Sequence, residues 1–317
     1  MNIVMIGRGV IAAIYGKVLS DAGHSVRHYV KPGRSAALGK ALEIDLLDGR
    51  VIRGAKGKSS ESLYSAECFE GLEELAGSDL VFACVRAEQL AGLATQLRRA
   101  PLPRKGVVFF NNCWNDPVEI AAGLPTEKNL WAFPMAGGGF VGEGRLECAL
   151  QGVFHMEIAA GANAELGATV AGLFESIGIK ATRHADMRAW LWRHYALNAG
   201  FLALILSRGI GMAEAIGSPA HLSLGLELVR EATRVVEARG IDRKCEAGES
   251  TLARIPEWLA RGILRSINRS SPITQRMMNI QGDPAGLADA PSRVLAEARR
   301  LGVECPRLAA ALGAFGR

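Results

Sequence analysis

The first twelve residues constrain the fold of this chain more than any other segment. An apolar strand, Asn2–Ile6, leads directly into a glycine turn, and an apolar helix follows over residues 11–22. Gly7 permits a tight turn, Gly9 lets the backbone approach a bound group, and Ala12 keeps the helix close to the strand. The first N–H groups of such a helix have no partner within it and attract anions. The pattern predicts a site for a dinucleotide diphosphate, surrounded by Gly7, Arg8, Gly9, Val10 and Ile11.

The end of the second predicted strand bears on which dinucleotide is bound. This strand covers residues 25–30 and ends about twenty residues after the glycines, where an NAD site places Asp or Glu on the ribose 2′-hydroxyl. The chain has no acidic residue there and instead carries Lys31 and Arg34. A carboxylate would repel a 2′-phosphate, whereas two cations neutralise it. The sequence therefore predicts NADP(H), with two solvated loop cations as the simpler alternative.

Composition bounds the class of protein. A chain of 317 residues with 49% hydrophobic and 22% charged residues suggests about two well-packed domains. The net charge of +5 favours an anionic ligand. Nucleic acid is a poorer explanation, because the cations are scattered and form no long run. We therefore expect a small anionic substrate rather than a nucleic-acid partner.

Cysteine spacing and apolar runs indicate the compartment. The six cysteines form no Cys-x-x-Cys pair and no cluster with histidine, so neither a zinc site nor a disulfide framework is predicted. Met1 leads straight into the first strand, which leaves no room for a signal peptide. The longest apolar stretch, residues 196–206, is too short to span a bilayer. We expect a cytoplasmic protein without a membrane or metal partner, as a monomer or homodimer.

The order of predicted elements gives the fold class. Strands at 79–85, 106–110, 130–135 and 153–159 alternate with helices at 36–42, 71–76 and 88–97, with a weak strand pair within 43–55 and a glycine-rich connection at 136–139. Beyond residue 181 only helices are predicted, at 187–206, 222–239, 250–265, 272–281 and 292–300. This order predicts an α/β Rossmann-type N-terminal domain, residues 1–180, and an all-α C-terminal domain, residues 181–317.

Four motifs resemble those of the ketopantoate reductase (2-dehydropantoate 2-reductase) family. The first is the glycine turn. Residues 85–87 read Val-Arg-Ala where the family has Val-Lys-Ala, and residues 111–113 read Asn-Asn-Cys where it has Gln-Asn-Gly. Residues 192–198 match the family pattern Trp-x-Lys-Leu-x-x-Asn at both ends. The resemblance covers essentially the whole chain and implies an NADPH-dependent reductase with a Rossmann domain and a helical C-terminal domain.

The departures from the family pattern fall on its catalytic positions. In the family, the lysine of the fourth motif donates the proton and the asparagine orients the substrate. Here His194 stands at the lysine position, while Asn198 keeps the asparagine. The family's glutamate in a late helix aligns with Arg276, six residues before Gly282. These differences imply a divergent member that acts on another 2-oxo acid.

His194 and Asn198 are the predicted catalytic pair. They are spaced i, i+4 on the helix at 187–206, so they share one face, with Trp190 one turn earlier. Reduction of a carbonyl leaves negative charge on its oxygen, which needs a proton donor and fixed hydrogen bonds. An imidazole donates a proton near neutral pH, and an amide donates a hydrogen bond. The alternative for His194 is a core histidine bonded to a backbone carbonyl.

Three further residues are candidates for ligand contacts. Arg86 follows a buried strand at its carboxyl end and is predicted to act in catalysis by holding a carboxylate, or to hold the cofactor; a surface cation is the alternative. Asn112 ends the next strand and is predicted to bind the cofactor ribose, or to form a turn. Arg276 favours a substrate with a second anionic group, against an exposed arginine.

Three functions follow from these residues. The leading hypothesis is an NADPH-dependent reductase of a 2-oxo acid, in which His194 is the general acid. An opine- or imine-forming dehydrogenase shares the same domain plan. A regulator that binds NADP without turnover is the non-enzymatic alternative.

Overall fold

The computed structural model describes residues 1–51, 57–142, 144–242, 251–252, 254–278 and 284–315. The chain forms two compact units, Met1–Met187 and Arg188–Arg317. The first unit contains a mixed α/β sheet and the second is helical, which confirms the predicted fold class. The predicted boundary after residue 180 falls within the strand Lys180–His184, which pairs in the sheet of the first unit, whereas the first unit extends to Met187.

Ten strands of the described residues form one sheet. They are β1 (Asn2–Ile6), β2 (Ser25–Tyr29), β3 (Leu42–Gly49), β4 (Lys58–Tyr64), β5 (Glu67–Phe69), β6 (Leu80–Ala83), β7 (Gly106–Phe110), β8 (Asn129–Phe140), β9 (Arg145–Glu157) and β10 (Lys180–His184). The strand order is β4-β3-β9-β8-β7-β6-β1-β2-β5, and β10 pairs with β9. The strands from β8 to β5 run parallel, so their carboxyl ends meet at one edge. In open α/β sheets this edge is where ligands bind.

An aromatic cluster fixes the first helix against this sheet. The helices of the first unit are α1 (Val10–Asp21), α2 (Ser35–Leu38), α3 (Leu90–Leu97), α4 (Pro117–Ala121) and α5 (Ala164–Ser176). Tyr15 of α1 lies 4.8 Å from Phe110 of β7 and 5.6 Å from Phe174 of α5, between ring centroids. All three side chains are buried. This packing holds the start of α1 in a fixed position beside β1.

The glycine-rich segment at 136–139 is part of β8, so its prediction as a connection between two strands was wrong. Its residues pair with β9 in antiparallel register, after an irregularity between Pro134 and Ala136. A Cβ atom at Gly138 would lie 2.6 Å from Cys148 Cα of β9, too close for any side chain. The glycines therefore permit the pairing rather than interrupt it.

Two other local predictions differ from the structure. The predicted helix at 36–42 is a single turn, because Leu42 is buried as the first residue of β3. The predicted strand pair within 43–55 is wrong in its second strand, since β3 pairs with β4. Residues 52–56 lie outside the described residues. The segment predicted as a helix at 71–76 is a 3-10 helix, Leu72–Gly77.

The second unit consists of helices throughout its described residues. They are α6 (Met187–Arg208), α7 (Met212–Gly217), α8 (Pro219–Ala238), α9 (Glu257–Ser270), α10 (Pro272–Met278), α11 (Pro284–Leu301) and α12 (Pro306–Phe315). The helix predicted at 250–265 is divided at Pro256, which has no N–H to continue the preceding turn. None of the helices in the described ranges has the length and apolar character that crossing a membrane requires.

Candidate functional site

The glycine turn between β1 and α1 requires glycine at its first position for two reasons. Gly7 has φ +98°, a conformation that residues with a side chain rarely adopt, and a Cβ there would lie 3.2 Å from the carbonyl oxygen of Cys84, the residue after β6. The Gly7 N–H donates to Tyr29 O at 2.9 Å, which ties the turn to the end of β2. The turn thus brings the ends of β1, β2 and β6 together.

The N-terminus of α1 has the features of an anion site. Its cap residue, Gly9, offers no side-chain hydrogen bond, and no acidic residue lies in the first turn. In the part of the chain that the structure describes, the N–H groups of Arg8 and Gly9 have no hydrogen-bond partner. Unpaired donors at a helix N-terminus favour an anion such as a phosphate. The geometry fits the predicted diphosphate site.

A cleft of about 870 Å³ opens beside this turn. Its apolar wall includes Val30 and Val85, which follow β2 and β6, together with Leu38 of α2 and Leu93 of α3. This volume lies in the usual range of roughly 300–1,000 Å³ for ligand pockets. An apolar wall next to an anion site suits a nucleotide, whose base is apolar on its faces and whose phosphates are charged.

The charge of the cleft is entirely positive. Four cationic residues line it, Arg8, Lys31, Arg34 and Arg86, and none of its lining residues is acidic. The predicted cofactor residues Lys31 and Arg34 therefore lie in the same cleft as the glycine turn. Their side chains are exposed and, among the described residues, form no ion pair. These two cations are available to an anionic ligand.

A carboxylate that was not predicted as a site residue shapes the loop carrying these cations. Glu70, one residue after β5, accepts hydrogen bonds from the N–H groups of Gly33 at 2.9 Å and Ser35 at 2.8 Å. The Ser35 hydroxyl and these N–H groups hold the pKa of the Glu70 carboxyl well below its usual range. Glu70 therefore stays charged and fixes the loop between Lys31 and Ser35.

The side chain of Arg8, one of the predicted cofactor residues, bonds to the backbone of two neighbouring segments. Its guanidinium donates to Ala66 O at 3.3 Å and Lys40 O at 3.0 Å, and the residue is buried. Because those bonds engage the guanidinium with backbone carbonyls, the free backbone N–H of Arg8 is the donor left for a ligand. Arg8 contributes its charge to the cleft at the same time.

Arg86 lines the same cleft at the end of β6. Its side chain is 73% exposed, and its Nε lies 2.7 Å from a carboxylate oxygen of Glu88. Gln89, which was not predicted as a site residue, also lines the cleft. Of the two roles predicted for Arg86, this position favours a contact with the cofactor over one with the substrate.

The two asparagines after β7 have unequal roles. Asn112 Oδ1 accepts a hydrogen bond from the N–H of Cys113 at 3.0 Å, as expected for the alternative role of Asn112 in a turn. Asn112 is not among the residues that line the cleft. Asn111 was not predicted as a site residue, yet its Nδ2 donates to Val85 O at 2.9 Å. Asn111 therefore ties the ends of β6 and β7 together, and its buried Oδ1 has no partner among the described residues.

The predicted catalytic pair lies on α6. The His194 ring stacks on the Trp190 ring with centroids 5.1 Å apart and planes inclined by 9°. His194 and Asn198 are half-buried, whereas Ala196 and Ala199 between and beside them are fully buried. The two polar residues thus share one accessible stripe of an otherwise buried helix, which fits the predicted i, i+4 face.

The last predicted site residue, Arg276, lies on a different helix from this stripe. Arg276 lies on α10 and is half-buried; Gly282, its reference point in the family pattern, lies outside the described residues. Cys245 also lies outside them, and the other five cysteines are free thiols. The described residues contain no group of three or more His, Cys, Asp or Glu side chains placed to hold a metal ion.

A glycine turn with unpaired donors, at the edge where the carboxyl ends of parallel strands meet, is the feature by which proteins of the Rossmann class bind dinucleotides. The chain belongs to the ketopantoate reductase PanE/ApbA family, whose model matches residues 3–161. This confirms the resemblance seen in the sequence motifs. It makes the protein a member of an oxidoreductase family that acts on CH–OH groups. No curated protein sequence matches this chain.

Solved structures share the fold over the full chain at low identity. A PanE/ApbA family ketopantoate reductase from Ralstonia eutropha is 17% identical, covers 100% of this chain and 97% of its own, and has a TM-score of 0.69. D-mandelate dehydrogenase with NADH and anilino(oxo)acetate is 15% identical, with coverages of 100% and 97% and a TM-score of 0.71. A dimeric ketopantoate reductase from Staphylococcus aureus is 13% identical, with coverages of 99% and 98% and a TM-score of 0.61. At these identities the likeness shows the fold alone.

Proposed function

We propose that this protein is an NADPH-dependent reductase of a small 2-oxo acid. The observation that carries the cofactor choice is the cleft itself, in which four cations and no carboxylate line the space beside the glycine turn. NADPH carries one phosphate more than NADH, and a phosphate monoester adds about −1.5 to −2 charge near neutral pH. Lys31 and Arg34 supply the charge that this group needs, and Arg86 adds to it.

The donor set fits the parts of the proposed cofactor. The N–H groups of Arg8 and Gly9, with those of Val10 and Ile11 in the first turn of α1, would hold the diphosphate. The apolar wall of the cleft would hold the adenine. Bound NADPH would supply the hydride for the carbonyl carbon of the substrate. The overall reaction converts a 2-oxo acid, NADPH and a proton into a 2-hydroxy acid and NADP⁺.

His194 and Asn198 are the proposed catalytic residues. His194 would donate a proton to the carbonyl oxygen as charge develops there, and its half-exposed ring can take a new proton from solvent. Stacking on Trp190 fixes the plane of the imidazole, which limits the directions in which it donates. Asn198 would donate a hydrogen bond to the same substrate, and Arg276 would bind a second anionic group on it.

The family name and one solved relative support the substrate class. The family name refers to reduction of a 2-oxo acid, and the D-mandelate dehydrogenase structure contains the oxo acid derivative anilino(oxo)acetate. The replacement of the family's lysine by His194 and of its glutamate by Arg276 supports a substrate other than ketopantoate. We infer that the substrate of this chain carries more negative charge than ketopantoate.

The experiment is a screen of NADPH oxidation against 2-oxo acids of one and two carboxylates, ketopantoate included, each with and without amino acids. Turnover with a 2-oxo acid alone is expected, while turnover only with an added amine would indicate an imine-forming enzyme. NADPH binding without turnover on every compound would indicate a regulator.

Variants of α6 and α8 test the proton donor. His194→Ala is expected to lower kcat about 100-fold and leave the NADPH Kd unchanged. His194→Lys restores the residue of the family pattern and should keep turnover, with a pH profile moved to higher pH. His221→Ala, on α8 of the same unit, is the matched control and should leave kcat unchanged. Equal activity of His194→Ala and wild type would remove His194 from the mechanism.

A further inference from the structure

A buried histidine lies directly beneath the glycine turn. His28, on β2, has no solvent exposure, and its Nδ1 is 2.8 Å from the carbonyl oxygen of Gly7. Its Nε2 is 2.8 Å from the hydroxyl of Tyr64, the last residue of β4. Neither His28 nor Tyr64 lines the cleft. No part of the proposed cofactor contact or proton transfer uses them.

The partners of His28 define its protonation state. A carbonyl oxygen only accepts hydrogen bonds, so Nδ1 must carry the proton and donate to Gly7. Burial, with a smaller contribution from the charge of Arg8, lowers the pKa of His28 to about 4, so the ring is neutral near pH 7. Its Nε2 must then accept from the Tyr64 hydroxyl, which burial keeps protonated by raising its pKa. The result is a series of two hydrogen bonds, in which Tyr64 donates to His28 and His28 donates to Gly7.

Two neighbouring residues, Gly16 and Arg8, pack closely against His28 and Tyr64. A Cβ at Gly16 of α1 would lie 3.0 Å from His28 Nε2 and closer still to the Tyr64 hydroxyl, so this helix position has no room for a side chain. The guanidinium of Arg8 lies over the Tyr64 ring, 5.6 Å from its centroid. Tyr64 therefore contacts the turn residue Arg8 directly and is linked to the Gly7 carbonyl through His28.

The hydrogen bond to Gly7 orients a ligand donor. The Gly7 carbonyl and the Arg8 N–H belong to one trans peptide, so they point in opposite directions. Holding the carbonyl toward the buried His28 turns the Arg8 N–H away from it. That N–H is one of the unpaired donors of the turn.

We propose that His28 and Tyr64 are positioning residues that fix the Gly7–Arg8 peptide for binding of the cofactor diphosphate. The proposal rests on the proposed dinucleotide function. It assigns to β4, which ends on Tyr64, a role in holding the nucleotide site in the geometry that a bound anion needs. A preformed donor costs less ordering when the ligand binds.

The test compares two substitutions of similar shape at one position. His28→Leu removes the donor to Gly7, whereas His28→Asn keeps an N–H near the place of Nδ1. The Kd for NADPH is expected to rise about 10-fold in His28→Leu and much less in His28→Asn. 2′-Phosphoadenosine, which lacks the diphosphate, should bind the wild type and both variants alike. Equal NADPH affinity in wild type and His28→Leu, or equal losses for both ligands, would overturn the proposal.

Two measurements keep the test decisive if the His28 variants fail to fold. Tyr64→Phe retains the ring and removes only the hydroxyl, and we expect it to weaken NADPH about threefold. Nitrogen NMR of the wild-type protein should show His28 as the neutral Nδ1–H tautomer; an Nε2–H tautomer would contradict the assignment. Wild-type protein that shows the Nδ1–H tautomer yet binds no NADPH would refute the proposed function, and the positioning role with it.

Discussion

The buried histidine beneath the glycine turn predicts a specific dependence of stability on pH. The pKa of His28 is lowered from 6.5 to about 4 by burial. The unfolded chain therefore binds more protons than the folded protein between these two values. The free energy of unfolding contributed by this group is complete above pH 6.5 and falls as the pH decreases toward 4. Between pH 7.5 and pH 4.5 the loss from His28 amounts to about 2.5 kcal/mol.

Urea denaturation at those two pH values measures this loss. The wild-type protein and His28→Asn share all other titrating groups, so the difference between their pH dependences isolates His28. The variant is less stable than wild type at pH 7.5, because it loses the bond to Tyr64, yet it should lose about 2.5 kcal/mol less on acidification. Identical pH dependences for the two proteins would show that His28 is not a buried neutral histidine in the folded state.

Three further substitutions test the cleft. Gly7→Ala should weaken NADPH at least 10-fold, measured by fluorescence titration, because φ +98° and the Cys84 carbonyl both oppose a side chain; unchanged affinity would contradict the geometry of the turn. Glu70→Ala should raise the Kd for NADPH more than that for NADH, since it frees the loop that carries the cations; equal effects would remove its positioning role. Arg86→Ala should weaken NADPH about threefold and leave the KM for the 2-oxo acid unchanged, whereas a change in that KM alone would return Arg86 to the substrate.

The elements that carry local signals could be predicted from the sequence. The strand, glycine turn and α1 follow from consecutive residues, and the predicted helix at 11–22 differs from Val10–Asp21 by one residue at each end. The location of Lys31 and Arg34 in the same cleft as the turn also follows from the sequence, because their distance from the glycines along the chain is typical of this fold. The i, i+4 stripe of His194 and Asn198 needs only the period of a helix.

The residues that shape the site from a distance could not be predicted in this way. Glu70 reaches the loop at Gly33 across a strand pairing, and Tyr64 reaches His28 from the end of β4. These contacts depend on the strand order β1-β2-β5 and on the pairing of β3 with β4, neither of which the local pattern specifies. A glycine-rich segment inside β8 likewise has the composition of a loop, because its role is set by the approach of β9.

We propose that the cleft beside the glycine turn binds a phosphorylated nicotinamide dinucleotide. Titration of the wild-type protein and the double variant Lys31→Ala/Arg34→Ala with NADPH and with NADH tests this directly. Both proteins should bind NADH with similar affinity. Wild type should bind NADPH at least 10-fold more tightly than NADH, and the double variant should lose most of that preference. Wild-type protein that binds NADH as tightly as NADPH, or binds neither, would contradict the claim.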